Sequence, residues 1–250
     1  MMRLGCDPEV FLKNRKQFIS VIGRIKGNKW NPMQIPELPT GFTLQQDNVS
    51  LEFGIPPAAS KEEFIKHIQT VKAAGRKYLK GLTYATDSCV IFPEDQMQTA
   101  EAHMFGCEPD FNAWTGKENQ KPQPPHPFMR SAGGHIHVET TLDKNEVVKA
   151  MDLLLGVPLE IMDDGHERKK LYGKAGACRY KSYGVEYRTP SNWWIFKPER
   201  IGWVWDETAR AIDLVSNGYY VCDPRVRECI DNSDAKLAKQ LVKEYSLNVL

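Results

Sequence analysis

Residues 130–139 have the sequence Arg130-Ser-Ala-Gly-Gly-His-Ile-His-Val-Glu139. Successive side chains on a β-strand point to opposite faces, so this alternation predicts a strand with His135, His137 and Glu139 on one face, about 7 Å apart from one to the next. The two preceding glycines would let the backbone approach a bound group closely. We interpret this strand as one wall of a functional site, because paired histidines behind two glycines favour chemistry over packing.

A second alternating pair, Glu186 and Arg188, lies in the segment Tyr183-Gly-Val-Glu-Tyr-Arg-Thr-Pro-Ser191. Imidazole, carboxylate and guanidinium groups on neighbouring strands suit a divalent metal ion and phosphate. Arg188 has two interpretations. It is either the salt-bridge partner of nearby acids or a bidentate ligand of an anionic substrate.

Further acidic residues occupy alternate strand positions: Asp7, Glu9, Glu52, Glu108 and Asp110. The pattern Gly5-Cys-Asp-Pro-Glu9 recurs as Gly106-Cys-Glu-Pro-Asp110, either by chance or because two related acidic strands line one site. These acids either point to solvent or converge. Converging carboxylates repel one another unless a cation lies between them, so convergence predicts a metal.

A run of cations follows between residues 168 and 181 and includes Lys174 and Arg179. A charge run is usually a solvated face, and the alternative interpretation makes Lys174 and Arg179 contacts for phosphate. The segment 112–128 contains Pro122, Pro124, Pro125 and Pro127 and is expected to be a loop, either a surface excursion or a flap over a site.

The remaining pattern predicts an α+β fold in a single domain over residues 1–250, with a mostly antiparallel sheet, helices on one face and the other face open to a ligand. Ser60 and Glu63 form a capping-box pattern at the start of one helix. A second helix is expected from Asp143 or Lys144 to about Met162, and the chain is expected to be helical from about residue 198. Strands are predicted at 3–12, 18–22, 83–92, 103–111, 130–141 and 177–189. Residues 43–54 are expected to form either a strand or a hairpin bent at Asp47-Asn48.

Composition excludes several classes of partner. Lys plus Arg total 33 and Asp plus Glu total 32, so no bulk charge favours nucleic acid or a membrane surface. No apolar run approaches the roughly 18 residues of a membrane span, and no apolar signal core is present at the N-terminus. The six cysteines are scattered without a Cys-x-x-Cys pair, which predicts a reduced, cytoplasmic protein.

Four motifs follow one another along nearly the whole chain: Gly5-Cys-Asp7-Pro-Glu9-Val-Phe11, Leu51-Glu52-Phe53, Gly133-Gly-His135-Ile-His137 and Glu186-Tyr-Arg188-Thr-Pro190. In this order they resemble the glutamine synthetase-like ligases, and more closely the phage-type COOH–NH2 ligases (amidoligases, type 2). The resemblance implies a curved antiparallel half-barrel sheet with helices on its outer face, and an active site that binds ATP with magnesium or manganese.

The same resemblance implies roles for individual residues. Metal ligands would be Asp7, Glu9, Glu52, His135 and Glu186. His137 would lie near the nucleotide phosphates, and Arg188 near the transferred phosphoryl group or the substrate carboxylate. A carboxylate near the amine would act as base, for which Glu139 and Glu108 are the candidates.

The implied reaction is ATP-dependent amide formation through an acyl phosphate, with ADP and phosphate as products and small-molecule or peptide amines and carboxylates as substrates. A phage origin would place it in the host cytoplasm. Two alternatives stay open. One is a metal-dependent hydrolase that uses the His-x-His pair, and the other is a catalytically inactive binding protein with a ligase fold. The sequence leaves the oligomeric state and the identity of the substrates undetermined.

Overall fold

The computed structural model describes residues 2–105 and 110–250. The strands are β1 Arg3–Cys6, β2 Glu9–Val10, β3 Leu12–Asn14, β4 Gln17–Ile19, β5 Met33–Gln34, β6 Thr43–Asp47, β7 Ser50–Gly54, β8 Thr83–Tyr84, β9 Cys89–Ile91, β10 Phe111–Asn112, β11 Lys117–Glu118, β12 Met129–Ser131, β13 Ile136–Glu139, β14 Ala177–Lys181 and β15 Gly184–Tyr187. The α-helices are α1 Lys61–Gly75, α2 Lys144–Met151, α3 Val157–Met162, α4 Pro198–Ser216, α5 Pro224–Asn232 and α6 Ala235–Glu244. A π-helical turn, Asp152–Gly156, joins α2 to α3, and short 3₁₀ turns occur at Arg76–Tyr78, Glu94–Gln96, Glu101–His103, His166–Lys170 and Asn192–Phe196.

The central sheet has six strands in the order β1-β13-β15-β14-β10-β11, and the strand pairs in it are antiparallel. The register of these strands determines which side chains lie next to one another at the site. His137 is paired with Gly5 on one side and with Glu186 on the other, and Glu186 is paired with Arg179. Imidazole, carboxylate and guanidinium groups therefore share one face across neighbouring strands.

A second antiparallel sheet has the order β2-β7-β6-β5 and pairs Glu9 with Glu52. The predicted strand over 3–12 is wrong in one respect, because it divides into β1, β2 and β3, which belong to three sheets. Pro8 interrupts it, since proline has no N–H to donate to a ladder. Asp7 and Glu9 consequently lie at the point where the chain crosses from the first sheet to the second.

Two other predicted strands are divided in the same way. The segment 83–92 forms β8 and β9 in different sheets, and 177–189 forms the hairpin of β14 and β15. Residues Glu101–His103 form a 3₁₀ turn where a strand was expected to begin. The hairpin predicted around Asp47 is confirmed, and it turns at Asn48, which has a φ of 51°.

The helices cover the side of the central sheet opposite the polar face. Val185 and Tyr187 of β15 are fully buried on that side, and α2 packs against β14 and β15. Both α1 and α2 pack against α4, whose Ile201, Val204 and Ala211 are buried. Ser60 caps α1 by accepting a hydrogen bond from the Glu63 N–H, as the capping-box pattern predicts.

The α+β class with antiparallel sheets is confirmed, and the half-barrel curvature and the single-domain organisation stay predictions. In the part of the chain that the structure describes, we find no helix with both the length and the apolar character needed to cross a membrane.

Candidate functional site

Three predicted metal ligands converge where β1, β13 and β15 meet. Asp7 follows β1, His135 precedes β13, and Glu186 lies in β15. The Nδ1 atom of His135 lies 3.3 Å from Asp7 Oδ1 and 3.7 Å from Glu186 Oε1. One ligand atom from each residue fits within 4.8 Å of the others, a spacing that could hold a metal ion. We call this set the histidine cluster.

A second set of ligands, which we call the acidic cluster, consists of Glu9, Asp47 and Glu52, again with ligand atoms within 4.8 Å of one another. Glu9 and Glu52 are cross-strand partners, and Asp47 ends the strand that pairs with the strand of Glu52. Sequence reasoning missed Asp47. The signal was present, since a hairpin that turns at Asn48 places Asp47 on the same sheet face as Glu52.

In the acidic cluster, burial outweighs the positive charge of the nearby arginines and Lys29. Burial and the charge of Asp47 raise the pKa of Glu9 to about 7. Burial, with the charge of Asp7 next, raises the pKa of Glu52 well above its usual range, and burial also raises the pKa of Asp47. Carboxylates in this state require either protons or a cation. Three oxygen ligands from carboxylates are the chemistry that magnesium prefers, so this cluster fits a divalent ion.

The histidine cluster has a different balance of charge. Burial and the neighbouring Arg188 lower the pKa of His135 to about 4, so its ring is neutral at pH 7 and offers a lone pair. Burial and Asp7 tend to raise the pKa of Glu186, but Arg188, His135 and His137 outweigh them and hold it at about 2. A neutral imidazole beside ionised carboxylates fits a divalent cation.

Cationic side chains flank Glu186. Arg188 donates to Glu186 Oε1 in a close contact, and its Nε lies 3.1 Å from Asp110 Oδ1. Arg179 and Lys181 approach the two oxygens of Glu186 at 3.7 Å and 3.0 Å. The salt-bridge interpretation of Arg188 is therefore correct for this structure, and Arg188 also lines the cavity described next, where an anion could reach it.

The acidic cluster and two members of the histidine cluster, Asp7 and His135, line one cavity of about 880 Å³, whereas Glu186 is buried and does not line it. Its lining includes Asp7, Glu9, Asp47, Glu52 and His135, together with the predicted phosphate contacts Lys174, Arg179 and Arg188. Residues 119–123 of the proline-rich loop form part of the wall, which favours the flap interpretation over a surface excursion. This volume lies within the range of about 300–1,000 Å³ that is typical of small-molecule sites.

Two predicted catalytic residues lie elsewhere. His137 does not line the cavity, and its Nε2 atom lies 3.0 Å from Asp7 Oδ1, behind the histidine cluster. Glu139 is exposed at the far end of β13 and faces Arg3 at 4.0 Å, so the structure does not bring it to the clusters. Lys174 donates to the Asp231 carbonyl at the cavity edge. Glu108, the other candidate base, lies outside the described residues.

Gly133 and Gly134 precede β13, and they let Glu9 of the second sheet come close to the backbone there. The Gly133 N–H donates to Glu9 Oε2 at 2.7 Å, so this backbone orients a member of the acidic cluster. A Cβ atom at Gly133 would lie 2.2 Å from His135 Nε2 and 2.8 Å from an Arg168 nitrogen. Only glycine leaves room for the imidazole at this position.

Gly133→Ala is therefore expected to destabilise the protein by about 2 kcal/mol, because the His135 ring must shift to admit the methyl group. Urea denaturation measures the effect. Gly5→Ala is the matched control, since its Cβ would meet only His137 Cβ at an ordinary 3.6 Å. Equal stability of the two variants would contradict the crowding at His135.

The comparisons with known proteins bear on the chemistry of these clusters. The family model described as phage phiEco32-like COOH.NH2 ligase, type 2, matches residues 123–205. The resemblance to this ligase family is confirmed. The matched stretch contains His135, His137, Glu186 and Arg188, whereas Asp7, Glu9 and Glu52 precede it. No curated protein matches the chain.

The COOH–NH2 ligases take their name from joining a carboxyl group to an amine, which is carbon–nitrogen ligation. The two ligand clusters and the cationic side chains of the matched region surround one cavity, which supplies a location for that chemistry.

Proposed function

We propose that the protein is an ATP-dependent carboxylate–amine ligase that forms an amide through an acyl phosphate and releases ADP and phosphate. The observation that carries the proposal is the presence of two three-ligand clusters and several cationic side chains around one cavity. Phosphoryl transfer depends mainly on positioning and on neutralising the charge of phosphate, and these groups supply both.

Magnesium or manganese would be held by Asp7, His135 and Glu186 at one position and by Glu9, Asp47 and Glu52 at the other. When bound, these ions neutralise phosphate oxygens and fix their orientation. Gln45 orients the acidic cluster, because its Nε2 donates to Glu52 Oε1 at 2.9 Å. Gly133 does the same for Glu9 through its N–H.

Arg188, Arg179 and Lys174 would bind the transferred phosphoryl group and the substrate carboxylate. A carboxylate oxygen attacks the γ-phosphorus, the bond to the bridging oxygen breaks, and ADP leaves. The amine nitrogen then attacks the acyl carbon, phosphate leaves, and the nitrogen loses a proton. Arg188 is buried between Asp110 and Glu186, which holds its guanidinium in place for both steps.

The proton acceptor we favour is Asp110. It lines the cavity, and burial raises its pKa above the usual value for aspartate. A carboxylate with a raised pKa accepts a proton more readily. Glu139, the other described candidate, faces solvent beside Arg3.

The hydrolase alternative has less support. A His-x-His hydrolase site needs both imidazoles on the metal, but His137 approaches Asp7 from outside the cavity, and only His135 lines it. A catalytically inactive binding protein has no need of three neighbouring carboxylates in the acidic cluster, since their burial disfavours folding when no cation is present.

Turnover of ATP tests the proposal. We expect ADP and phosphate, but no AMP, to form with Mg²⁺ and pooled amines and carboxylates, and their formation to depend on the amine. Glu186→Ala should abolish this activity, because it removes one ligand of the histidine cluster and a partner of Arg188. Glu199→Ala is the control and should retain wild-type turnover, because Glu199 is an exposed acid in the first turn of α4.

Two outcomes would contradict the proposal. Formation of AMP would exclude the acyl phosphate, and cation binding without nucleotide binding would favour the hydrolase.

A further inference from the structure

We propose that the turn between β14 and β15, residues 181–184, positions the histidine cluster, with Tyr183 acting on Asp7 through His137. This role rests on the proposed function in one respect, since the cluster is taken to bind a divalent cation. Tyr183 and His137 are positioning residues in this proposal, because the cavity lining includes neither of them.

Tyr183, His137 and Asp7 form a continuous chain of polar contacts. His137 Nε2 lies 3.0 Å from Asp7 Oδ1, and His137 Nδ1 makes a close contact with the Tyr183 hydroxyl. The two rings are also stacked, with centroids 6.0 Å apart and planes inclined by 22°. His137 is therefore held by the Tyr183 hydroxyl and ring on one side, and its Nε2 atom lies at ion-pair distance from Asp7 on the other.

The backbone of the turn fixes the position of Tyr183. The Thr140 N–H donates to the Tyr183 carbonyl at 3.0 Å, which ties the turn to the end of β13. Gly184 has a φ of +155°, and a Cβ atom there would lie 2.1 Å from the Val138 carbonyl oxygen. Glycine at this position lets the turn lie directly against β13, so the phenol is held above His137 by backbone contacts and not by its own packing alone.

The same turn reaches the other carboxylate of the histidine cluster. Lys181 Nζ lies 3.0 Å from Glu186 Oε2. One four-residue turn thus orients Asp7 at one side of the cluster and Glu186 at the other. Here His137 and Lys181 lie at ion-pair distance from the two carboxylates. Groups that contact metal ligands fix their orientation, and losing one typically weakens metal binding by about 10–100-fold.

The hairpin offers a matched control in Tyr180. Its hydroxyl donates to Asn145 Oδ1 at 2.7 Å, on helix α2, and Tyr180 has an exposed fraction close to that of Tyr183, 40% against 43%. Tyr180→Phe and Tyr183→Phe each remove one hydroxyl from the hairpin and leave the ring in place. The two variants differ in whether that hydroxyl contacts His137.

The experiment is a Mn²⁺ titration of the metal-free protein without nucleotide, followed by the electron paramagnetic resonance signal of free Mn²⁺. We expect Tyr183→Phe to bind Mn²⁺ about tenfold more weakly than wild type and Tyr180→Phe to bind it with wild-type affinity. The imidazole ¹⁵N resonances of His137 in the metal-free protein provide a second readout. They should shift in Tyr183→Phe and stay unchanged in Tyr180→Phe.

Wild-type Mn²⁺ affinity in Tyr183→Phe, together with shifted His137 resonances, would overturn the positioning role and leave the cation sites of the proposed function intact. Equal weakening in both variants would also overturn it, since the loss would then follow from the hairpin in general. Failure of the wild-type protein to bind Mn²⁺ would overturn the cation sites, and the positioning role with them.

Discussion

Replacement of Glu52 by glutamine should raise the thermal stability of the cation-free protein and reduce its stabilisation by Mg²⁺. Glu52 lies in the acidic cluster, where burial and the neighbouring Asp7, Asp47 and Glu9 raise its pKa well above the usual range. A neutral side chain of the same shape relieves this repulsion, and its carbonyl can still accept the hydrogen bond from Gln45. We expect a gain of about 1 kcal/mol, which corresponds to about 3 °C in Tm for a chain of this size.

The same substitution removes a ligand of the cation proposed for the acidic cluster. Mg²⁺ should therefore raise the Tm of Glu52→Gln by less than it raises that of the wild-type protein, because only the histidine cluster keeps all its ligands. Turnover of ATP should fall by at least about 100-fold, because charge on the transferred phosphate is no longer neutralised at that position. The effects on stability and on activity thus have opposite signs, as expected for a site whose charges serve function at the expense of folding.

Thermal denaturation with and without Mg²⁺ measures both effects on stability. Glu199→Gln is the control, because Glu199 is exposed and belongs to neither cluster, so its Tm should change by only the small amount typical of a surface substitution and its Mg²⁺ response should stay unchanged. A loss of stability in Glu52→Gln would show that Glu52 is an ordinary buried hydrogen-bonding group. A Mg²⁺-induced rise in Tm as large as in the wild-type protein would show that Glu52 is not a ligand of the cation.

Replacement of Asp152 by alanine should give the largest loss of stability that we predict, about 4 kcal/mol. Asp152 is fully buried in the π-helical turn between α2 and α3. Its Oδ2 accepts from Trp114 Nε1 and the Gly176 N–H, both at 2.6 Å, and its Oδ1 accepts from the Tyr187 hydroxyl at 2.8 Å. Alanine leaves these buried donors without an acceptor, and each such donor costs about 1–3 kcal/mol with incomplete additivity.

The free energy of unfolding from urea titration measures this effect. Asp152→Asn keeps one carbonyl acceptor, so we expect it to lose about half as much stability as the alanine variant. Asp206→Ala is the control, because Asp206 on α4 forms an exposed ion pair with Lys61, and such pairs contribute about 0–1 kcal/mol. Equal losses in Asp152→Ala and Asp206→Ala would contradict the role of Asp152 as a shared acceptor.

Asp152 also shows why one part of the architecture could not be predicted. Its helix was expected from the apolar spacing between residues 144 and 162, and that expectation is confirmed. The acidic residue within this helix gave no sign of its partners, because Trp114, Gly176 and Tyr187 are distant in sequence and meet it only after the sheet and the helices have packed.

Strand register was the second limit of sequence reasoning. Alternation predicted that His135, His137 and Glu139 share a strand face, and His137 and Glu139 do lie at alternate positions of β13, whereas His135 precedes that strand. It could not say that Glu139 lies at the exposed end of this face while His137 meets Asp7. Those outcomes depend on the pairing of Gly5 with His137, which is a contact between distant segments.

The sequence by itself determined the α+β class, the residue types of the site and the likeness to the COOH–NH2 ligases, because each follows from local periodicity or from the order of short motifs. Only the tertiary structure decided that the ligands form two clusters beside one cavity and that Asp47 joins Glu9 and Glu52. It also decided that His137 contacts Asp7 from outside the cavity lining. The physical reason is that ligand geometry is set where separate sheets meet. Pro8 ends one ladder there, and the chain carries Glu9 into the next sheet.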